Sequence, residues 1–192
     1  MLPEQAALLV ARAADGDERA WEALVEAYTP LLRSVARAHR LDDATTSDVV
    51  QTAWRQLVQH VGRLHDPGHV GAWLATTTKR ECLRVLRQGQ RERPTQDEHL
   101  DGPDVEADPL DAALLESERA VVVSRALAAI PARCQQLLRV LMTSPPPSYR
   151  EVSAALDMPV GSIGPTRDRC LRKLRDVAAG LGLTAASLDL SR

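Results

Sequence analysis

Ser148-Tyr149-Arg150-Glu151-Val152-Ser153-Ala154-Ala155-Leu156-Asp157-Met158-Pro159-Val160-Gly161-Ser162-Ile163, running on to Arg175, is the stretch whose reading decides the fold. Ser148 followed three residues later by Glu151 is a capping box, in which the hydroxyl takes a backbone N–H and the carboxylate reaches back. The helix that follows places Val152, Ala155 and Leu156 on one face. Asp157-Met158-Pro159 breaks it, and Asp tolerates the left-handed conformation that such a turn often needs. A second helix is expected to start near Ser162, with Ile163, Cys170, Leu171 and Leu174 inward, which would leave Pro165 in its first turn. Its outer face carries Arg167, Arg169, Arg172, Lys173 and Arg175 against the single acid Asp168. Two short helices about a tight turn, the second one basic, suit insertion into a DNA major groove. A helical hairpin with a solvated basic face is the plainer alternative.

The rest of the composition agrees with an all-α chain. Among 192 residues there is no Phe, and aromatic residues make up only 3%, so Ala, Leu and Val must build the core. That mixture favours helix packing over a β-sandwich. No apolar stretch reaches the roughly 18 residues needed to span a bilayer. Met1-Leu2-Pro3-Glu4 lacks the basic-then-apolar pattern of a signal peptide, so a cytoplasmic chain is expected. Cys82, Cys134 and Cys170 are odd in number and widely spaced. They read as small buried apolar residues rather than as a disulfide framework.

The net charge of −2 conceals a segregation. Residues 92–111 hold eight acids (Glu92, Asp97, Glu98, Asp101, Asp104, Glu106, Asp108, Asp111) and one base, Arg93, with Pro94, Gly102, Pro103 and Pro109 among them. Such a segment buries too little apolar area to offset its ordering entropy and reads as a flexible acidic linker. It divides the chain into an N-terminal domain, 1–91, and a C-terminal domain, 112–182, followed by a tail at 183–192. Local fields govern binding, so the overall balance does not count against a nucleic-acid partner.

In the N-terminal domain, Leu8, Leu9 and Ala13 mark a first short helix ending near Asp15-Gly16. Asp17 caps a second, Glu18 to Arg40, with Trp21, Leu24, Val25, Tyr28, Leu31, Leu32 and Val35 recurring at helical steps and Pro30 expected to kink or divide it. Asp42 to Ser47 is a polar loop with several possible caps, and a third helix then runs to about Val61, with Val49, Val50, Ala53, Trp54, Leu57 and Val58 inward and Asp48, Gln51, Thr52 and Arg55 outward. Gly62 to His69 is a loop. The fourth helix, about Val70 to Arg91, turns Trp73, Leu74, Thr77, Leu83 and Leu86 to the core. Arg80, Arg84, Arg87 and Arg91 stack along one face beside Lys79, with Glu81 the only acid. A one-sign stripe repels itself unless an anionic partner neutralises it. In the C-terminal domain, Leu110 to Ile130 is helical. Pro131 opens another helix, with Leu137, Leu138, Val140 and Leu141 inward, and Pro145-Pro146-Pro147 is a stiff connection into the opening motif.

His65 and His69 sit in a loop with Cys82 too far along the next helix to complete a zinc site. No glycine-rich phosphate loop, nucleophile elbow or paired carboxylates stand out, so the chain does not read as an enzyme and calls for no cofactor.

Two basic elements on separate helical domains, joined by an acidic tether, resemble a bacterial RNA polymerase sigma factor of the extracytoplasmic-function (ECF) group. Trp21-Glu22-Ala23-Leu24-Val25 with Tyr28 and Pro30 resembles the family's opening helix. Asp48-Val49-Val50-Gln51-Thr52-Ala53-Trp54 resembles its core-polymerase-binding helix, Ala72-Trp73-Leu74 and the basic helix after it resemble the −10 recognition segment, and Tyr149-Arg150-Glu151-Val152 through Arg175 resembles the −35 helix-turn-helix. The resemblance implies that Asp48, Gln51, Thr52 and Arg55 bind core RNA polymerase, and that Lys79, Arg80, Arg84 and Arg87 meet the −10 DNA. It also implies that Ser162, Thr166, Arg167, Arg169, Arg172 and Lys173 meet the −35 DNA, with arginines able to read guanine and Arg172 and Lys173 on phosphates. Many relatives are held by an anti-sigma factor, although no residue here identifies one. The chain departs from the family at Arg80 and Arg84, where relatives carry Asn and Asp, and at Gly164-Pro165, where a basic residue and Ser are common. Two other readings stay open on the residues alone: a stand-alone helix-turn-helix regulator that acts without polymerase, and a helical module binding protein or RNA.

Overall fold

Aspartates set the starts of two helices in the N-terminal half. The Asp17 carboxylate accepts from the Arg19 and Ala20 amides, and the Asp42 carboxylate accepts from the Thr45 amide at 2.8 Å, which satisfies donors that a helix start leaves open. In the computed structural model, which describes residues 1–92 and 118–182 (the side chains of 90–92 and 118–120 excepted), these caps open helices α2 (Glu18–Ala38) and α3 (Asp43–His60). Before them lies α1 (Pro3–Ala14). Two 3-10 turns, Val61–Arg63 and Pro67–His69, lead from α3 into α4 (Val70–Glu92). The C-terminal half holds α5 (Glu118–Ala129), α6 (Ala132–Leu141), α7 (Tyr149–Leu156) and α8 (Val160–Gly180). Every regular element among the described residues is helical, so the fold is all-α. The expected acidic linker at 92–111, the helix start at 110–117 and the tail at 183–192 lie outside the described residues, Glu92 at the end of α4 apart.

The core is built as the 3.6-residue period requires. Leu24, Leu32, Val35, Leu57 and Leu74 of the N-terminal half are fully buried, and Leu137, Val140, Val152 and Ile163 match them in the C-terminal half. They belong to one contiguous cluster, because α4 packs along α7 and α2 packs against α6. The Gln136 Nε2 of α6 donates to the Ala38 carbonyl at 2.9 Å across this seam. Gly71, in the first turn of α4, permits the closest approach. A Cβ there would overlap Glu151 Oε1 of α7 and stand 2.5 Å from Tyr28 Cε1 of α2.

Several details differ from the sequence expectation. The buried face of α1 is Ala6, Val10 and Ala13, whereas Leu8 is exposed, so the inward stripe is rotated from the one inferred. Val25, Val58 and Leu86, inward by periodicity, are exposed; each lies at the margin of a stripe whose centre is already filled by other side chains. Pro30 does not divide α2, which is continuous through it. The helix after the turn begins at Val160 rather than near Ser162, which moves Pro165 beyond the first turn.

The cysteine expectation is corrected most clearly. Cys134 of α6 and Cys170 of α8 form a disulfide with their Cα atoms 5.3 Å apart, while Cys82 alone stays a free, buried thiol whose burial pushes its pKa up to about 12. Sequence spacing does not reveal the pair, because α6 and α8 become neighbours only in the tertiary fold. A link across 36 residues lowers the unfolded-state entropy by about 4 kcal/mol in the chain-entropy model.

The seam between the halves leads to two expected outcomes. Gly71→Val should destabilise the fold by about 1–3 kcal/mol in denaturant titration, since the added side chain must displace the Tyr28 ring as well as the flexible Glu151 carboxylate. Tyr28 is 5% exposed, and burial and then the Glu151 charge push its phenol up to about 12. Raised above its unfolded value near 10, the group contributes stability that is fully present below pH 10 and lost as pH rises towards 12. Thermal melts should therefore fall across that window, and Tyr28→Phe should flatten the fall.

Candidate nucleic-acid and polymerase interfaces

Three sets of polar side chains stand on three helices. On α3, Asp48, Gln51 and Arg55 are exposed and fall at i, i+3 and i+7, which aligns them along one face. Thr52 is half-buried and its hydroxyl accepts from Arg55 Nη2 at 2.8 Å, which holds the guanidinium along the helix. Val58 continues the same line at i+10 and is 60% exposed. Periodicity assigns Val58 to the core, so the apolar end of this face emerges only from the structure.

On α4 the basic stripe is less uniform than its sequence implies. Arg80, Arg84 and Arg87 are exposed. Glu81 is buried at the edge of the stripe, and its carboxylate receives Arg84 Nη2 at 2.6 Å and Nε at 3.0 Å. That hydrogen-bonded pair raises the Arg84 pKa further above its ordinary value. Glu81 therefore offsets one arginine, leaving Arg80 and Arg87 to dominate the outward field. Lys79 is half-buried and meets Asp157 of the α7–α8 turn at 3.2 Å. The Arg91 side chain lies outside the described residues.

On the C-terminal half the local chemistry matches the sequence closely. The Ser148 hydroxyl accepts from the Glu151 amide, and Glu151 Oε2 accepts from the Ser148 amide at 2.6 Å, closing the capping box of α7. Asp157 ends α7 at φ 56°, in the left-handed region. The three residues Asp157-Met158-Pro159 then turn the chain into α8, whose Ile163 and Cys170 are buried and whose Arg167, Arg169, Arg172 and Lys173 are exposed. The Ser162 hydroxyl donates to the Pro159 carbonyl at 2.7 Å and so braces the start of α8. Thr166 accepts from Arg169 Nη2 at 3.1 Å. Ser162, Thr166, Arg169 and Lys173 share one face, at i, i+4, i+7 and i+11.

Two features at the contact between the halves have no signal in the sequence. Arg150 Nη1 donates to His69 Nε2 at 2.7 Å, which leaves the ring proton on Nδ1 to donate to Asp66 Oδ2 at 2.7 Å. His69 thus serves a structural relay, and among the described residues no group of three His, Cys, Asp or Glu could hold a metal ion. Arg37, Arg40 and Arg139 line a shallow cleft where α2 meets α6. Among the described residues no helix is long and apolar enough to cross a membrane.

Comparison with known proteins gives these surfaces a context. Residues 24–92, comprising most of α2 and all of α3 and α4, match the model of Sigma-70 region 2. Among curated proteins, none matches the chain. Among solved structures, the chain is similar to CnrH in complex with the cytosolic domain of CnrY, with a TM-score of 0.56 at 21% identity. That alignment covers 92% of this chain and 98% of the other, so the fold likeness spans both halves.

The capping box yields a direct prediction. Ser148→Ala removes a cap that serves α7 and costs about 1 kcal/mol, read as a shifted midpoint in denaturant melts. Ser148→Thr, which keeps a hydroxyl that both accepts from the Glu151 amide and donates to its carboxylate, should restore most of it.

Proposed function

We propose that this chain, supported as an ECF-type sigma factor by its Sigma-70 region 2 segment and its CnrH-like fold, binds core RNA polymerase and directs initiation at promoters through −10 and −35 recognition. The observation that carries the proposal is the placement of three separate polar faces in the order a sigma factor needs. A mixed polar face on α3 lies within the matched region 2, a basic ridge on α4 follows it, and a basic helix follows a tight turn in the other half.

Each face suits its assigned partner physically. Asp48, Gln51, Thr52 and Arg55, with Val58 as an apolar anchor, offer the mixture of charge, amide and apolar contact that protein interfaces use. Arg80 and Arg87, flanked by Arg84 on Glu81 and Lys79 on Asp157, form an electropositive ridge suited to a separated strand. Arg167 and Arg169 reach outward from the first half of α8, where a recognition helix meets base edges. Arg172 and Lys173 sit further along and suit phosphates. Ser162 and Thr166 are the smaller polar groups on the same face. The role needs no catalytic group or cofactor from this chain, because the polymerase performs the chemistry, and its site of action is the cytoplasm. The likeness to CnrH in complex with the CnrY cytosolic domain supports a further partner, an anti-sigma protein that binds this chain.

Run-off transcription with purified core polymerase on genomic DNA tests the proposal. Added protein should create new start sites. Asp48→Ala/Gln51→Ala should weaken core binding. Arg167→Glu/Arg169→Glu should leave core binding intact while removing initiation at those sites, each lost contact costing about 1–3 kcal/mol of DNA affinity. No new start sites with any template, and unchanged core binding by the α3 variant, would exclude the role.

A further inference from the structure

We propose that the Cys134–Cys170 pair is a reversible thiol–disulfide site whose redox state sets how firmly α8 is held to the rest of the C-terminal half. The inference that this controls promoter reading rests on the function proposed above.

The bond adds a covalent link to an element whose other core contacts come from Ile163 and from the partly buried Leu171, Leu174 and Val177. Along the described length of α8 only Ile163, Cys170 and Ala178 are buried, and the last of these packs in a small separate cluster with Ala126. Cys170 sits midway between them, one residue beyond Arg169 and three beyond Arg167. The covalent link to α6 therefore fixes the segment of α8 that carries the outward arginines. Its partner, Cys134, lies in the first turn of α6, where Pro131 is the N-cap and its carbonyl accepts the Cys134 amide at 2.8 Å.

The two sulfurs are not equivalent. Cys134 is 8% exposed and Cys170 is 1% exposed, so an incoming thiolate meets Cys134 first. A low-molecular-weight thiol or a dithiol protein can supply the electrons. Its thiolate attacks the Cys134 sulfur, forms a mixed disulfide and releases Cys170 as a thiolate that takes a proton from water. A second thiol of the reductant then attacks the reductant's own sulfur in the mixed disulfide and releases Cys134. The open amides of the α6 N-terminus favour negative charge at the sulfur released there. The sum is one disulfide and two reductant thiols converted to two cysteine thiols and one reductant disulfide. Oxidation by a low-molecular-weight disulfide reverses it, with Cys134 as the attacking thiolate.

The proposed place of work argues for a switch over a permanent staple. RNA polymerase operates where thiol buffers keep cysteines reduced, and disulfides formed there are mostly transient or sensing. A bond that ties down a DNA-reading helix is in a position to report that balance.

The test uses the full chain with dithiothreitol as reductant and oxidised glutathione as oxidant. Maleimide labelling after denaturation should count one thiol in the oxidised protein and three in the reduced protein. Hydrogen exchange across residues 160–180 should rise on reduction by about fivefold or more, as expected when a covalent tether to a local unit is lost, while exchange across α3 stays the same. Cys134→Ser/Cys170→Ser should show the fast exchange in both conditions, and Cys82→Ser should respond like the natural chain. Three labelled thiols after full treatment with the oxidant, or unchanged α8 exchange on reduction, overturns the proposal. A promoter duplex mapped by the run-off experiment should bind several-fold more weakly after reduction. Failure of any duplex to bind in either state, with α8 exchange still redox-dependent, removes the promoter role and leaves the redox site standing.

Discussion

The arrangement of this molecule depends on the missing Cβ of Gly71. Only there can α4 approach α7 closely enough for the Glu151 carboxylate to settle between Gly71 and Tyr28. Glu151 is 8% exposed, a costly place for a carboxylate, and it is tolerable because the Ser148 amide and hydroxyl both donate to it. One side chain therefore closes the cap of α7, fills the seam between the halves and places its charge beside the Tyr28 phenol. Around that point the longer-range contacts assemble: Gln136 onto Ala38, Lys79 onto Asp157, and Arg150 onto the His69–Asp66 pair.

Features that arise from short-range chemistry are legible in the amino-acid sequence. The Ser148–Glu151 box, the left-handed Asp157 and the cap at Asp17 each involve residues at most three positions apart or a single backbone conformation. The polar run 42–47, by contrast, reads as a loop with several possible caps, whereas Asp42 is the cap and Asp43 already begins the helix. The all-α class follows from periodicity, and Leu24, Leu32, Leu57 and Leu74 point inward as their spacing requires because they lie at the centre of their stripes. Val25, Val58 and Leu86 lie at stripe margins, where a rotation of one residue decides burial, and a period alone does not fix that rotation. Pro165 draws the expected start of α8 towards itself, whereas the helix begins earlier and accommodates the proline further in.

Several contacts that a linear reading misses have partners distant in sequence. The disulfide spans 36 positions, the Arg150–His69 contact 81 and the Gln136–Ala38 contact 98. Read along the chain, an arginine or lysine is an available cation, yet Arg84 is engaged by a neighbouring buried glutamate and Lys79 by an aspartate from the other half. Of the candidate DNA-facing side chains, Arg80, Arg87, Arg167, Arg169, Arg172 and Lys173 project into solvent. The charge segregation noted in the sequence thus continues inside the folded domains, with specific acids trimming an otherwise positive surface.

The Lys79–Asp157 pair also sets a length. Its two atoms, 3.2 Å apart, join the basic ridge of α4 to the turn immediately before α8. With the ridge and that turn held in this way, the two basic elements are presented side by side, because α4 also packs along α7. A partner that touches both must match that spacing, and one that needs them further apart must first break this contact. The ion pair is thus a catch on the packed form.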